Sequence, residues 1–544
     1  MIKKIKGTKK EIWIILIVIL IGIFFRTYHF SDYLRFNPDQ ARDAGIIRNI
    51  IDEKADLPLL GPQAGGTDFR LGPVFYYFQF VSAKIFGSAP EKVAYPDLLF
   101  SILLIPLLYL FLRKYFNSKT ALLSVALFAI SFYAIKYARF AWNPNSTPFF
   151  ALLFLFSLNE LGNHEQKRKV LWSLVLGVAL GIGIQLHSLV LFSFPIVTMI
   201  YFAFLFFKKN PVWKKAWIVI VVVIFLNIPQ IINEFTSLEK NSRAFIVAFD
   251  NKSSRSASFA EKLGLNVVCH MQASSFILSS IGNDNECDLM NFNRKIKQNK
   301  KDPAKILKNT GVISNVILSI LFSLGGLVLL IYYWKKEKSF EKKNFLGILL
   351  LYASVLFIIL IPLALETSMR FFLPLIFIPF VFMGLWIKFF HEHFGKKSTI
   401  ILGIFIVLLM ALNIYSIENK ADYLAGKNNR DEDFDEITLG EVKFMAEFIR
   451  LHGDETKNNY LEGKTAELFK IVKPIKYFTD PYGFEITERS KEQALHENEQ
   501  LFFVNIINNP KEGQKVSKSF EEKYEILSSE RFRRIAIYEV RDRK

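Results

Sequence analysis

Acidic and basic side chains are concentrated in one short stretch of the chain, Phe36-Asn-Pro-Asp-Gln-Ala-Arg-Asp43. On a helix, Asp39, Arg42 and Asp43 would share one face, because residues three and four apart are neighbours there. A carboxylate within reach of a hydroxyl group can take its proton, and a guanidinium binds anionic oxygens. These residue types therefore indicate acid–base chemistry beside an anion.

The same stretch has the sequence of a helix start. Asn37 suits the N-cap and Pro38 the first helical position, which places Asp39 in the first turn. Isoleucines then recur at helical spacing from Ile46 to Ile51, which predicts an amphipathic helix on a membrane face. An aspartate in a first turn also complements the helix dipole, so a purely structural role for Asp39 stays open at this point.

Composition predicts a polytopic membrane protein. Of the 544 residues, 51% are hydrophobic and 55 are Phe, and several apolar runs approach the length of a membrane span. The net charge of +18 lies largely in short Lys/Arg clusters between these runs, and no nucleic-acid-binding motif accompanies it. We therefore expect membrane lipids, and no nucleic acid, as partners. The first apolar run lacks a small-residue cleavage site, which favours a retained span.

The apolar runs predict about eleven transmembrane helices. They are residues 12–27, 98–112, 121–135, 148–161, 170–185, 188–207, 217–232, 312–334, 346–365, 371–387 and 400–417. With the N-terminus in the cytoplasm, the short inner loops are basic and the short outer loops are not. This predicts a transmembrane domain over 1–417, with a first outer loop at 28–97 that carries the catalytic residues and a long outer loop at 233–310.

The tail, residues 418–544, predicts a small extracytoplasmic α/β domain. Its composition becomes charged, and Thr438 and Glu441 have the spacing of a capping box. The runs 501–507 and 534–540 are typical of strands.

Both cysteines, Cys269 and Cys287, fall in the long outer loop. Two cysteines in one exported segment predict a disulfide between them. Two unpaired small hydrophobic residues are the alternative interpretation.

An outer-face carboxylate on a large membrane scaffold suits transfer of a sugar from a lipid-linked donor. The carboxylate would activate an acceptor hydroxyl, and a cation would bind the departing lipid phosphate. Attack from the face opposite that phosphate would invert the sugar carbon. The chain has no nucleotide-binding motif, which agrees with a lipid-linked donor.

Several segments together resemble the GT-C superfamily of polytopic glycosyltransferases, near the protein O-mannosyltransferases and the lipid A aminoarabinose transferases. These segments are Asn37-Pro-Asp-Gln-Ala-Arg-Asp43, Gly72-Pro-Val-Phe-Tyr-Tyr-Phe78, Ile85-Phe-Gly87, Pro229-Gln-Ile-Ile-Asn-Glu234 and Arg370-Phe-Phe-Leu-Pro374, with 107–116, 121–131 and 177–187. Their order, spacing and topology carry the resemblance over most of residues 1–417. It implies a GT-C-like fold and a polyprenyl-phosphate-linked sugar as donor.

By this resemblance Asp39 takes the position of the family's essential first-loop acid, the general base. Gln40 stands where many relatives have a second acid, which leaves Asp43 as the nearest other catalytic carboxylate. The resemblance fixes no metal ligand and leaves a divalent metal open.

Substrate-binding candidates on the predicted outer side are Arg42, Asp97, Arg139, His187 and Arg370. Arg139 and Arg370 stand at outer ends of spans and are the candidates for the donor phosphate; interfacial cations without a ligand are the alternative. His187 could reach the same phosphate or satisfy a backbone carbonyl.

We therefore expect an inverting glycosyltransferase of the plasma or inner membrane that acts on a lipid, glycan or protein acceptor. A transporter or flippase of lipid-linked glycans is one rival, although such proteins commonly carry repeats and mid-membrane charges. A glycan polymerase or ligase, with its main loop later in the chain, is another. A non-catalytic scaffold is the third.

Overall fold

The computed structural model describes residues 9–253, 257–282, 310–427, 436–489, 498–507 and 518–543. The first helices are Lys9–Thr27, Phe30–Tyr33, Pro38–Ile51, Val74–Phe86, Pro90–Val93, Tyr95–Leu112, Ser118–Ala129, Phe132–Lys136, Thr147–Gly162, Lys169–Leu186 and Ser188–Phe207. The next are Ala216–Leu226, Ile228–Thr236, Lys240–Ser253, Phe259–Ser279, Thr310–Ser319, Gly326–Lys336, Phe340–Leu360 and Ile378–Leu424. The last are Leu439–His452, Thr465–Thr479 and Lys518–Lys523. This predominantly helical architecture confirms the expected fold class.

In the described part of the chain, six helices are long and apolar enough to cross a membrane, and up to eight spans result if two bent pairs count as one each. The bent pairs are Pro211–Leu226 with Ile228–Thr236 and Met369–Leu375 with Ile378–Gly395. The predicted run 121–135 is divided between a helix of 12 residues and a short one that follows Ser131. The polytopic class is confirmed, whereas the count of eleven stays a prediction.

The expected outer loop at 233–310 contains a helix of the bundle instead of open chain. Within Phe259–Ser279, Asn266 donates to the carbonyl of Phe357 at 2.9 Å. Asn413 of the helix Ile378–Leu424 donates to the carbonyl of Leu278 at 2.7 Å. Polar residues such as these lower the hydropathy of the segment, and the fold pairs them with backbone groups of neighbouring helices.

Cys269 lies in this helix and is buried, with 2% of its surface exposed. Cys287 lies outside the described residues. The disulfide between the two cysteines stays a prediction.

The tail forms an α/β unit with a five-stranded sheet. The strands are β1 Asn458–Glu462, β2 Ile486–Glu488, β3 Glu499–Ile506, β4 Tyr524–Phe532 and β5 Ile535–Asp542, in the order β2-β1-β3-β5-β4. β1 pairs in parallel with β2 and β3, whereas β5 is antiparallel to both β3 and β4. The predicted capping box of Thr438 and Glu441 is present at the start of Leu439–His452.

Backbone hydrogen bonds fasten this unit to the segment that precedes the first-loop helix. The Phe36 N–H donates to the carbonyl of Ile437 at 2.9 Å, and the Leu439 N–H donates to Leu34 at 2.8 Å. The Ile437 N–H donates to the side-chain oxygen of Asn37 at 3.0 Å. The tail therefore fixes the residue at which the Asp39-bearing helix begins.

A buried ion pair joins Arg534, in the turn before β5, to Glu441 of the helix Leu439–His452, with Nε to Oε1 at 2.7 Å. We expect Glu441→Gln to lower the stability of this unit by about 3 kcal/mol, because the guanidinium stays buried without its countercharge. Amide hydrogen exchange in Leu439–His452 should become roughly 100-fold faster.

Glu447→Gln is the matched control, since Glu447 lies on the same helix and pairs with Arg450 in an exposed position. Its exchange rates should match the wild type. Unchanged protection in Glu441→Gln would contradict the assigned role of the pair.

Candidate functional site

The first-loop helix, Pro38–Ile51, begins where the sequence predicted. Asn37 is its N-cap, and its side chain and that of Gln40 form a reciprocal capping box. The Asn37 N–H donates to Gln40 Oε1 at 3.1 Å. The N-cap, the proline at the first position and the first-turn Asp39 are all confirmed.

Arg42 holds the two predicted catalytic carboxylates together. Its Nη1 donates to Asp39 Oδ1 at 2.9 Å, and its Nε donates to Asp43 Oδ1 at 2.9 Å. The Asp39 side chain is 59% exposed, whereas that of Asp43 is 0% exposed. Asp39 is thus accessible to a substrate, and Asp43 supports the cluster from within.

Tyr76 completes this cluster. Its hydroxyl donates to Asp43 Oδ1 at 2.9 Å, while Asp43 Oδ2 is buried without a hydrogen-bond partner. Burial raises the pKa of Asp43 to about 6, although Arg42 and Tyr76 act in the opposite direction. Burial and the nearby Asp43 also raise the pKa of Tyr76, so its hydroxyl stays protonated and can only donate to the carboxylate.

A second group of candidates meets at the turn that contains Ala141 and Trp142. Gln40 Nε2 donates to the carbonyl of Ala141 at 3.2 Å. Asp97 is buried and accepts from the Trp142 N–H at 3.0 Å and from the Ser146 hydroxyl. The Gln40 side chain can bind both Asn37 and Ala141, because an amide accepts through its oxygen and donates through its nitrogen.

Arg370, in the segment Met369–Leu375, packs against Trp142 of the same turn. Its guanidinium carbon is 5.9 Å from the centre of the Trp142 ring and 5.4 Å from that of Phe371. The side chain is exposed, and none of the described residues forms an ion pair with it. A cation held over aromatic faces with its donors open is suited to bind an anionic oxygen.

His187 forms the tight connection between Lys169–Leu186 and Ser188–Phe207, as predicted. Its Nδ1 accepts from the Leu189 N–H at 3.1 Å, and its ring meets Phe371 at 5.8 Å. Burial, with Arg370 nearby, lowers its pKa to about 3. The neutral ring therefore carries its proton on Nε2.

Arg139 faces another part of the protein. It donates to the carbonyls of Phe25, Arg26, Tyr28 and His29 at 2.7–3.3 Å, at the end of the first helix. A cation at a helix C-terminus satisfies open carbonyls and complements the helix dipole. The structure thus gives Arg139 a clamping position away from Arg370.

The structure brings the candidates together in two neighbouring groups, Asp39–Arg42–Asp43 and His187–Arg370, with Gln40 and Trp142 between them. Sequence reasoning missed Tyr76 and Trp142. Tyr76 belongs to the aromatic run Gly72–Phe78, which carries the resemblance but predicts no chemical role, and Trp142 precedes Asn143-Pro144 at the turn between two apolar runs. An aromatic residue beside an Asn-Pro turn is the signal that was available. Among the described residues, no group of three or more His, Cys, Asp or Glu could hold a metal ion.

Comparison with known proteins agrees with this architecture. Residues 70–232 match the family model described as dolichyl-phosphate-mannose-protein mannosyltransferase. No curated protein matches the chain by sequence. The fold is similar to that of ArnT from Cupriavidus metallidurans bound to undecaprenyl phosphate, with a TM-score of 0.54, 11% identity and coverage of 98% of each chain.

Two further structures extend the comparison. The apo form of the same ArnT gives a TM-score of 0.52 at 10% identity and covers 97% of each chain. An oligosaccharyltransferase from Archaeoglobus fulgidus gives a TM-score of 0.49 at 16% identity, over 87% of this chain and 62% of that one. The chain thus spans less than two thirds of the archaeal protein.

The family match over residues 70–232 and the ArnT-like fold agree with the resemblance found in the sequence. The chain is an integral membrane protein with several long apolar helices, and its fold is similar to that of ArnT. Its orientation, with the N-terminus in the cytoplasm, stays a prediction.

The raised pKa of Asp43 predicts a pH-dependent stability. Because the folded value, about 6, lies above the ordinary 3.8, its stabilising contribution is fully present below pH 3.8 and is lost as the pH rises through 6. The loss should be on the order of 3 kcal/mol relative to Asp43→Asn, which does not titrate. Thermal unfolding of both proteins across this pH range measures it.

Asp52→Asn serves as the control, since Asp52 caps the other end of the same helix and pairs with exposed Lys54. Its unfolding curve should follow the wild type at every pH. Parallel pH profiles for wild type and Asp43→Asn would contradict the buried, titrating carboxyl.

Proposed function

We propose that this chain transfers a sugar from a polyprenyl-phosphate-linked donor to an acceptor hydroxyl, with inversion, and that Asp39 is the general base. The observation that carries the proposal is the convergence of Gln40 and Arg370 on residues 141 and 142. Through these contacts the exposed carboxylate of Asp39 and the guanidinium of Arg370 lie on two sides of one turn. Base-assisted attack on a phosphate-linked sugar needs these two groups together.

Asp39 has the geometry of a base. One of its oxygens, Oδ1, is fixed by Arg42, and none of the described residues donates to the other. The fixed oxygen sets the direction of the carboxylate, and the open one can take the proton of the acceptor hydroxyl. Asp43 and Tyr76 act behind Arg42 as positioning residues, because Asp43 has no exposed surface.

Arg370 and His187 form the donor side. As the bond from sugar to phosphate breaks, negative charge grows on the phosphate oxygens, and a guanidinium over aromatic rings stabilises that charge. The neutral His187 can add a hydrogen bond through Nε2. The family match names a dolichyl-phosphate-linked sugar, and the ArnT structure of the same fold holds undecaprenyl phosphate, which supports a donor of this chemistry.

Asp39→Asn tests the base directly. The amide keeps the size and the first-turn position but cannot accept the proton, so turnover should fall about 10²–10⁴-fold. Donor affinity should change little. Turnover is measured with purified protein and a polyprenyl-phosphate-linked sugar at matched levels of folded protein.

Asp32→Asn is the matched control. Asp32 is another exposed aspartate of the same loop, paired with Arg533, and its loss should leave turnover near normal. Near-normal turnover in Asp39→Asn would end this mechanism and leave Asp39 with a helix-dipole role only.

Arg370→Gln tests the donor side. It removes the charge while keeping a polar side chain, so the affinity for the polyprenyl-phosphate-linked sugar should fall at least about tenfold. Arg243→Gln, at an exposed arginine that pairs with Glu239, should leave the affinity unchanged. Equal affinity in Arg370→Gln and wild type would remove Arg370 from the donor site.

A further inference from the structure

A cavity of about 460 Å³ lies between the end of the first helix, the segment around Phe140 and the end of the helix Ile378–Leu424, and neither Asp39 nor Arg370 lines it. Aromatic rings, including Phe24 and Phe25, form much of its wall. Four cationic side chains also line it: Arg35, Lys136, Arg139 and Lys420.

The wall of the cavity carries side chains of both charges. Three carboxylates also line the wall: Glu418, Asp422 and Glu436. Lys420 pairs with Glu436, and Asp422 pairs with Lys427 outside the wall. Arg35 has no carboxylate partner among the described residues, and its Nε is buried without a hydrogen-bond acceptor. An unpaired guanidinium in a partly buried wall favours an anionic ligand.

An apolar groove of about 800 Å³ continues from this cavity along the membrane-spanning part of the protein. It runs between the first helix and the helix Ile378–Leu424, and Phe24, Phe25 and Ile414 line both the cavity and the groove. Ala126, Ala129 and Ala411 leave room along its floor. The cavity, hereafter called the chamber, thus lies at the end of the apolar groove.

We propose that this chamber and groove bind a lipid with a phosphate head, at a site separate from that of the donor. Arg35 faces the head, and the groove takes the apolar chain. Such a lipid matches both parts of the site, because its phosphate can pair with the Arg35 guanidinium and its hydrocarbon chain can cover the apolar groove. This site does not depend on the proposed transfer reaction.

The site stands next to the catalytic groups. The Arg35 guanidinium lies 4.9 Å from the ring of Phe140, which precedes the turn that binds Gln40. Arg35 itself is four residues before Asp39. A phosphate lipid in the chamber would therefore reside beside the site where donor or product is handled.

The experiment uses the full chain carrying Arg370→Gln, so that the donor site contributes little. Binding of polyprenyl phosphate is measured by native mass spectrometry from phosphatidylcholine nanodiscs. In this background one polyprenyl phosphate should still bind. Adding Arg35→Gln should weaken that binding at least about tenfold. Adding Ala411→Trp, which fills the groove from an exposed position, should weaken it to a similar extent.

Leu408→Trp is the matched control, because Leu408 is exposed on the same helix and lines neither space. It should bind as the parent does. Unchanged binding in both Arg35→Gln and Ala411→Trp would overturn the proposal.

Two further ligands separate the sources of affinity. Polyprenol, which lacks the phosphate, should bind at least about tenfold more weakly than polyprenyl phosphate. Equal binding of the alcohol would overturn the role of Arg35, and full competition by inorganic phosphate alone would overturn the role of the groove. Normal sugar transfer in Arg370→Gln would count against the proposed function and leave this site untouched.

Discussion

The buried carboxylate of Asp97 is the constraint on which the site depends. It accepts from the backbone N–H of Trp142 and from the hydroxyl of Ser146, and so fixes one turn between two helices. The same turn receives Gln40 on one side and Arg370 on the other. Loss of the carboxylate would leave a buried N–H unpaired and release both contacts. Asp97 thus fixes the turn that Gln40 and Arg370 contact, and with it the placement of the proposed base and the proposed phosphate-binding arginine.

The parts of the structure that local sequence determines were predictable. The start of the first-loop helix follows from Asn37 and Pro38, whose effects are confined to one turn. The capping box of Thr438 and Glu441 is local in the same way. The class followed from the repeated apolar runs, since only a membrane requires so many.

Contacts between distant segments could not be predicted. Asp97 stays a predicted substrate-binding residue, and its partners, a backbone group and a hydroxyl, are 45 and 49 residues away in the chain. Arg139 stays a candidate for the donor phosphate, and its guanidinium donates to carbonyls more than 100 residues earlier in the chain. Phe259–Ser279 was expected in a loop because its polar residues lower its hydropathy. In the structure it is a helix, and Asn266 has its hydrogen-bond partner on another helix. Hydropathy depends only on composition, so it cannot predict hydrogen bonds between distant segments.

The central claim is that Asp39 and Arg370 face the two ends of one reacting bond. An electron cryomicroscopy structure with a bound polyprenyl-phosphate-linked sugar tests it most directly. The account predicts phosphate oxygens within hydrogen-bond distance of the Arg370 guanidinium, and the open oxygen of Asp39 on the opposite face of the sugar carbon. A donor phosphate bound away from Arg370, or a sugar carbon turned away from Asp39, would contradict it.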